Sequence, residues 1–225
     1  MREVVEKKVL SENDRLAAEL RQRYRDQNIL CVNFISSPGS GKTALLEKTL
    51  AALAPTQAVA VLTGDIQTDN DARRLSRYGF PVRQIVTGGT CHLDARMIDR
   101  HLGEMNFRGP GLLLVENVGN LVCPSSYDLG EAAKIVLLSV TEGEDKPLKY
   151  PGIFHRATLM ILTKTDLLPH VDFQPGFALE NARKIHPEID YIALSSRTGE
   201  GFDKWLTWLD ALQRKFQQTA AAINS

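Results

Sequence analysis

The most constraining feature of the sequence is a glycine-rich loop between an apolar run and a helical segment. Residues 29–35 have the apolar density of a buried parallel strand, and a helical pattern begins at Thr43. The intervening Ser36-Ser-Pro-Gly-Ser-Gly-Lys-Thr departs from the phosphate-loop motif G-x-x-x-x-G-K-[ST] only where Ser36 replaces the first glycine. A strand before this motif and a helix after it are the context that phosphate binding requires, so the sequence predicts a nucleotide site.

Each residue of the loop has a role in binding phosphate. Gly39 and Gly41 allow backbone N–H groups to close around phosphate oxygens at the N-terminus of the following helix. Lys42 is expected to reach the β- and γ-phosphates, and Thr43 to ligate Mg²⁺. A plain Gly/Ser turn is the alternative, which the flanking strand and helix disfavour. The predicted phosphate-binding residues are Pro38, Gly39, Ser40, Gly41, Lys42 and Thr43.

Further apolar runs alternate with helical patterns along the chain. They lie at 58–62, 112–115, 135–140 and 158–162, with a possible further one at 189–194. Such alternation predicts the α/β class: a mostly parallel sheet flanked by helices, with ligands at the carboxyl ends of the strands. We expect an amphipathic, exposed helix over 1–27, one nucleotide-binding domain with inserted metal-binding loops over 28–217, and a tail over 218–225.

Charge and cysteine content narrow the choice of partners and compartment. Lys plus Arg number 27, as do Asp plus Glu, so no global field favours nucleic acid or an anionic membrane. The charged start and the lack of an apolar run of about 18 residues predict a cytoplasmic protein. Three cysteines, an odd number, argue against a disulfide framework and leave thiols for metal or redox chemistry.

Two segments favour guanine over adenine. Leu162-Thr-Lys-Thr-Asp resembles the N-K-x-D motif of GTPases, with Thr163 in place of asparagine. Asp166 would accept hydrogen bonds from guanine N1 and its amino group, while the stem of Lys164 covers the base. The Lys164-Thr-Asp166 match alone could be a solvated turn after a strand, but together with a second segment it predicts GTP. The second segment, 193–201, resembles the S-A-K loop of GTPases and contributes Ser195, Ser196 and Arg197.

Acidic residues after two strands are the candidates for magnesium binding and water activation. Glu116 ends an apolar strand in the manner of a Walker-B acid. Asp65 and Asp71 are candidates for a further Mg²⁺ ligand or for orienting the attacking water, and the sequence does not choose between them. For Asp71 and its neighbour Asp69, capping of a helix over 72–78 is an equal alternative. The predicted catalytic residues are Lys42, Thr43, Asp65, Asp71 and Glu116, of which Thr43, Asp71 and Glu116 hold Mg²⁺.

A metal site is suggested by two further loops. Cys91 and His92 are adjacent before an amphipathic segment, and Cys123 follows the Glu116 strand. Thiolate and imidazole suit Ni²⁺ or Zn²⁺, but three ligands leave a position for water or for a ligand shared across a two-fold dimer. By spacing alone, a metal site and ordinary core or helix-start roles are equally supported. Cys31, inside the first apolar run, is assigned to the core.

These features, in this order, resemble the HypB family. The resemblance implies a SIMIBI-class P-loop GTPase that dimerises with nucleotide or metal and couples GTP hydrolysis to nickel delivery during [NiFe]-hydrogenase maturation. It also implies a HypA-type metallochaperone partner, a hydrogenase large-subunit precursor as acceptor, and a nickel or zinc site at the dimer interface formed by Cys91, His92 and Cys123. The segments that carry it are 36–43, 63–68, 91–95, 116–124 and 139–151.

Several alternatives stay open at this point. The sequence contains neither the C-x-x-C-G-C motif nor the His-rich stretch of some family members, so nickel storage is not implied. A urease-type nickel GTPase would carry a Cys-Pro-His cluster, whereas Cys91-His92 and Cys123-Pro124 are separate here. A metal-binding regulatory or storage module that keeps nucleotide without hydrolysis is a further alternative. A small-molecule kinase is disfavoured because no Arg-rich lid segment is present. The N-terminal helix either docks HypA or packs on its own domain.

Overall fold

A parallel sheet forms the centre of the chain. The computed structural model describes residues 2–53, 57–67, 69–105 and 107–223. Seven strands pair in parallel in the order β3-β2-β4-β1-β5-β6-β7. The strands are β1 (Ile29–Ser36), β2 (Val59–Asp65), β3 (Val82–Val86), β4 (Gly111–Glu116), β5 (Ala133–Ser139), β6 (Leu159–Thr163) and β7 (Asp190–Ala193).

Helices cover both faces of this sheet. A 3₁₀ helix at Thr165–His170 follows β6. The α-helices are α1 (Arg2–Asp26), α2 (Lys42–Ala52), α3 (Asn70–Ser76), α4 (Ala95–Met105), α5 (Cys123–Ser126), α6 (Lys146–Lys149), α7 (Pro151–Arg156), α8 (Pro175–Ile185) and α9 (Phe202–Ile223). Parallel strands need such crossovers, and each crossover leaves a loop at the carboxyl edge of the sheet.

Alternate residues of β1 enter two different cores. Phe34 points to the core formed with α2 and α9, where its ring meets Trp205 edge-on at a centroid distance of 5.8 Å. The indole N–H of Trp205 donates to Thr49 Oγ1 on α2 at 2.9 Å, so its buried polar group is satisfied. Cys31 lies in the opposite core beside Tyr24 of α1 and is 1% exposed, consistent with its assignment to the core.

The predicted α/β class and mostly parallel sheet are confirmed. The sequence missed β3, because this edge strand carries Arg83 and Gln84 and is only partly buried, so it lacks a continuous apolar run. The expectation of an exposed α1 is corrected. Its polar composition suggested exposure, but Leu20 and Tyr24 are buried against the domain.

The C-terminal end of the chain differs from the irregular tail expected from the sequence. The tail expected over 218–225 is helical as far as Ile223, and Ala220 within it is buried, while residues 224 and 225 lie outside the described part of the chain. Within the described residues, no helix combines the length and apolar character needed to cross a bilayer.

Replacing Trp205 with alanine should destabilise the domain by about 3–5 kcal/mol, because it removes a fully buried aromatic ring and leaves Thr49 without its donor. Chemical denaturation of wild type and W205A measures this difference. Phe177, which is 50% exposed, is the matched control, and its replacement by alanine should cost less than about 0.5 kcal/mol. Equal losses in the two variants would contradict the packing described above.

Candidate nucleotide and metal sites

The phosphate loop joins β1 to α2 at the carboxyl edge of the sheet. Gly39 (φ 75°) and Gly41 (φ 96°) adopt left-handed conformations that other residues rarely take. Gly119, from the loop after β4, approaches so closely that an added Cβ would lie 3.0 Å from the Cα of Pro38. The result is a polar cleft of about 390 Å³ at the N-terminus of α2, the position at which helix ends bind phosphate.

Ser36 gives the loop lysine a partner. Lys42 is 7% exposed, and its Nζ donates to Ser36 Oγ at 2.9 Å. Burial lowers the pKa of Lys42, while the nearby carboxylates of Glu116, Asp71 and Glu142 oppose that effect. The serine in place of the motif's first glycine therefore makes a specific contact with Lys42.

One hydroxyl and two carboxylates converge beside Lys42. Thr43 Oγ1 lies 2.8 Å from Glu116 Oε1 and 3.0 Å from Asp71 Oδ1. Glu116 is 4% exposed, and its Oε2 is buried without a hydrogen-bond partner among the described residues. Burial raises the pKa of Glu116 to about 7, against the lowering effect of Lys42. A hydroxyl together with carboxylate oxygens is a ligand set that suits Mg²⁺. The unpartnered Oε2 of Glu116 is available as one of these ligands.

The remaining acidic candidates differ in their contacts and in whether they line the phosphate cleft. Asp65 ends β2 and lines the same cleft as Asp71 and Glu116. Asp71 turns into the cleft, whereas Asp69 occupies the N-cap position of α3 without a side-chain capping bond and instead accepts from Arg73 Nε at 3.0 Å. The capping alternative therefore does not describe Asp71, because its carboxylate is used by Thr43.

Arg74 also lines the phosphate cleft and was missed by sequence reasoning. Its guanidinium pairs with Glu47 at 2.5 Å and lies 3.6 Å from Asp71. No motif marks it, since it is one of two consecutive arginines in a short helix and only the fold turns it toward the cleft.

The two guanine-type segments meet in space. Ser195 Oγ donates to Asp166 Oδ1 at 2.6 Å and accepts the backbone N–H of Arg197 at 3.2 Å, which closes the loop after β7. Lys164 takes a left-handed conformation with φ 59°. The guanidinium of Arg197 is 84% exposed and lies 3.8 Å from Asp166, while Ser196 follows Ser195 on the same loop. The carboxylate of Asp166 is thus held by the partner loop rather than free in solvent.

Thr163, at the first position of the N-K-x-D-like motif, contacts the phosphate loop. Its buried hydroxyl donates to the carbonyl of Ser40 at 2.7 Å. The hydroxyl of Ser40 in turn lies 2.7 Å from Glu142 Oε1, an acceptor that also takes the backbone N–H of Ser139 at 3.1 Å. Glu142 was not a predicted site residue, although it lies in the segment 139–151 that supports the family resemblance. The base and phosphate regions are therefore joined through Ser40.

The candidate metal ligands converge at the same edge of the sheet. The thiol sulfurs of Cys91 and Cys123 are 2.7 Å apart, and one ligand atom from each of Cys91, His92 and Cys123 lies within 4.8 Å of the others. The imidazole of His92 stacks on Tyr127 at a centroid distance of 3.7 Å, and its Nδ1 is buried without a partner among the described residues. Burial lowers the pKa of His92, which favours the neutral ring that binds metal. Tyr127 carries no motif and was missed.

The loop that carries Cys91 and His92 is hydrogen-bonded to two residues of the segment between Glu116 and Cys123. Asn117 Oδ1 accepts the backbone N–H of Leu93 at 3.1 Å, one residue beyond His92. Asn120 Nδ2 donates to the carbonyl of Cys91 at 3.3 Å. The strand end that carries Glu116 is therefore linked, through Asn117, to the loop that carries the candidate ligands Cys91 and His92.

The raised pKa of Glu116 predicts a pH-dependent stability of the nucleotide-free and Mg²⁺-free chain. Because this pKa is about 7 in the folded state and near 4.5 when exposed, stability linked to the group is present below pH 4.5 and lost as the pH rises through 7. The difference in unfolding free energy between E116Q and wild type should increase by about 3 kcal/mol across this window. Urea denaturation with EDTA at pH 4.5 and 8 measures it.

The exposed Glu188 supplies the matched control for this pH series. The same difference for E188Q should change by less than about 0.5 kcal/mol. An E116Q difference that is constant with pH would contradict the described burial of Glu116.

Comparison with known proteins shows the family of the chain. The family model of the CobW/HypB/UreG nucleotide-binding domain matches residues 31–193. A hydrogenase maturation factor HypB from Azotobacter vinelandii is 52% identical over 206 residues, 92% of this chain and 68% of the relative. The hydrogenase/urease maturation factor HypB of Helicobacter pylori strain J99 is 42% identical over 216 residues, 94% of this chain and 88% of that protein. The crystal structure of Helicobacter pylori HypB in complex with nickel has a TM-score of 0.84 at 40% identity, covering 91% of this chain and 96% of that chain. The chain therefore belongs to the HypB family of hydrogenase maturation factors and is a GTPase with a CobW/HypB/UreG nucleotide-binding domain.

Proposed function

We propose that this GTPase binds nickel at Cys91, His92 and Cys123 and uses GTP hydrolysis to deliver it during [NiFe]-hydrogenase maturation. The observation that carries the proposal is the continuity between the two sites. Glu116 contacts the phosphate-loop Thr43, and the next residue, Asn117, is bonded to the loop of Cys91 and His92. Relatives named as hydrogenase maturation factors, one solved with nickel, support the same cargo.

In the proposed reaction, water attacks the γ-phosphorus in line while the bond from that phosphorus to the β–γ bridging oxygen breaks, which yields GDP and inorganic phosphate. Lys42 and the backbone N–H groups of the loop hold the phosphates and stabilise developing negative charge. Thr43, Asp71 and Glu116 would hold Mg²⁺, which neutralises charge between the β- and γ-phosphates when bound. Asp65, which lines the same cleft, is proposed to orient the attacking water. Pro38, Gly39, Ser40 and Gly41 complete the phosphate-binding loop.

We assign base recognition to Asp166 and its supporting loop. The carboxylate accepts from guanine N1–H and the exocyclic amino group, and its contact with Ser195 orients it. Lys164 covers one face of the base, while Ser196 and Arg197 lie on the loop that closes the other side. Adenine offers an acceptor where guanine has the N1 donor, so the carboxylate selects GTP.

The metal cluster is proposed to bind Ni²⁺, and Zn²⁺ as a competing ion. Two sulfurs and one nitrogen suit either ion, and a fourth position remains for water or a residue of a second copy. We therefore infer a homodimer promoted by nucleotide or metal, in which the cluster lies near the subunit contact. Free thiols at Cys91 and Cys123 would persist in the cytoplasm, where we place the protein.

The proposed partners follow from the hydrogenase assignment. A HypA-type metallochaperone would work beside this protein, and the hydrogenase large-subunit precursor would receive the nickel.

The proposed domain division is a helix over 1–27, a GTPase domain over 28–217 and a terminal segment over 218–225, with α9 continuing into the last. Burial of Leu20 and Tyr24 limits any partner contact on α1 to its other face.

Nickel delivery to urease is the second candidate function, because the Helicobacter pylori relative is named a hydrogenase/urease maturation factor. Nickel transfer assays with apo-hydrogenase precursor and apo-urease would distinguish the two acceptors. Failure to hydrolyse GTP with and without metal would instead support a storage or regulatory role for the metal site.

Replacing Asp166 with asparagine should lower kcat/KM for GTP by about 10- to 100-fold, because the amide NH2 cannot accept from the exocyclic amino group and the remaining bond to N1–H loses its charge. The amide nitrogen of asparagine can donate to the 2-carbonyl of xanthine, so activity with xanthosine triphosphate should rise. Steady-state hydrolysis of both nucleotides measures the change. The exposed Asp172→Asn is the matched control and should leave both values unaltered. Unchanged GTP selectivity in D166N would refute the assigned base site.

Nickel and zinc titrations of wild type, C91A and C123A, with and without a non-hydrolysable GTP analogue, test the metal assignment. We expect about 10-fold or greater loss of affinity in both variants, because each removes a thiolate ligand. Equilibrium dialysis gives the affinity, and light scattering the dimer mass. C31A is the matched control, since Cys31 is buried outside the cluster and its replacement should preserve metal binding. Binding indifferent to Cys91 and Cys123 would refute the site.

A further inference from the structure

A buried asparagine of α1 spans the two loops that carry the candidate metal ligands. Asn13 is 4% exposed. Its Nδ2 donates to the carbonyl of Asp128 at 2.9 Å, and its Oδ1 accepts the backbone N–H of Ala95 at 2.9 Å. One side-chain amide therefore hydrogen-bonds to two backbone groups, the carbonyl of Asp128 and the N–H of Ala95. These residues are 33 positions apart in the chain and lie in separate segments.

Both bonded groups are close to the metal cluster in sequence. Ala95 begins α4 three positions after His92, and its N–H is one of those that a helix start leaves without an intrahelical partner. Asp128 follows Tyr127, whose ring stacks on His92. Asn13 thus bridges the segment after the Cys91-His92 pair and the segment after Cys123, at the point where those segments touch through the ring stack.

The burial of this contact favours a single position of these loops. Loss of both bonds would leave buried polar groups unsatisfied, which is energetically unfavourable. Ion pairs hold α1 against the same regions, since Arg21 lies 2.5 Å from Asp128 and Arg23 lies 2.5 Å from Asp99 on α4. The helix that presents Asn13 is therefore fixed relative to both loops.

Other buried groups hold the loops from the sheet side. Asn117 accepts from Leu93, and Lys134 Nζ donates to the carbonyl of Tyr127 at 3.3 Å. Each loop is thus hydrogen-bonded to a residue at the sheet, Asn117 or Lys134, and also to Asn13 of α1. Among these three side chains, only Asn13 bonds to both loops, and it supplements the direct hydrogen bond from Asn120 to the carbonyl of Cys91.

We propose that Asn13 is a positioning residue for the metal site: together with the Asn120–Cys91 hydrogen bond, it holds the Cys91-His92 loop at a fixed separation from the Cys123-Tyr127 loop. This inference rests on the proposed metal function of Cys91, His92 and Cys123. Asn13 contacts neither the ligand atoms nor the phosphate cleft, and it acts through the backbone of Ala95 and Asp128. Outer residues that orient metal ligands typically change affinity by about 10- to 100-fold when replaced.

The test compares wild type, N13A and N13D with Ni²⁺ and Co²⁺ as the metal probes. N13A removes both bonds. N13D keeps an acceptor for Ala95 but places a carboxylate against the carbonyl of Asp128, so it breaks the bridge on one side only. Asp14→Ala is the matched control, because Asp14 is exposed on the same turn of α1. Chelator competition gives affinities, and the thiolate-to-metal and Co²⁺ absorption bands report ligand geometry.

We expect N13A and N13D to bind both ions about 10- to 100-fold more weakly, with shifted absorption bands, while D14A matches wild type. Basal GTP hydrolysis without metal should stay within about two-fold of wild type in all variants, which shows that the nucleotide domain is folded. Wild-type affinity and unshifted bands in either Asn13 variant would overturn the bridge.

Different outcomes would overturn the proposed metal function and the proposed Asn13 bridge between the two loops. Wild-type protein whose Ni²⁺ binding does not depend on Cys123 would overturn the metal function, and the bridge with it. Cys123-dependent binding that is indifferent to Asn13 would overturn the bridge alone.

Discussion

The parallel pairing of β1 with β4 is the constraint on which both candidate sites depend. The register aligns Phe34 with Glu116, so the two strands end at the same edge of the sheet. The phosphate loop leaves one strand and the Glu116–Cys123 segment leaves the other. Because parallel strands all end at the same edge of the sheet, the segments that follow β1 and β4 meet there, and Thr43 contacts Glu116.

This shared edge also explains how two chemically different sites can influence each other. Glu116 belongs to the phosphate cleft, and Asn117 belongs to the metal loops. Under the proposed function, the peptide bond between these two adjacent residues links the two candidate sites. A nucleotide-dependent shift at Glu116 would therefore change the geometry of the Cys91-His92 loop, and thermodynamic reciprocity requires metal to change nucleotide affinity by the same factor.

Residues with distinctive local chemistry could be predicted, and residues that act through tertiary contacts could not. The Gly-Ser-Gly-Lys-Thr run has few other uses after a strand, and Cys91, His92 and Cys123 have side chains of the types that bind transition metals. By contrast, Asn13 lies in a polar helical pattern where asparagine is unremarkable, and Glu142 is one of several acids in its segment. Their roles depend on bonds to Ala95, Asp128 and Ser40, which no local pattern encodes.

The sequence by itself determined the α/β class, the phosphate loop, the guanine-type motifs and the types of metal ligand, because each follows from local spacing and side-chain chemistry. Only the tertiary structure decided that the edge strand β3 pairs with β2, that α1 is partly buried, and that Asp71 turns to Thr43 rather than capping its helix. These outcomes depend on contacts between segments distant in the chain, where burial and competing hydrogen-bond partners decide which local preference is realised.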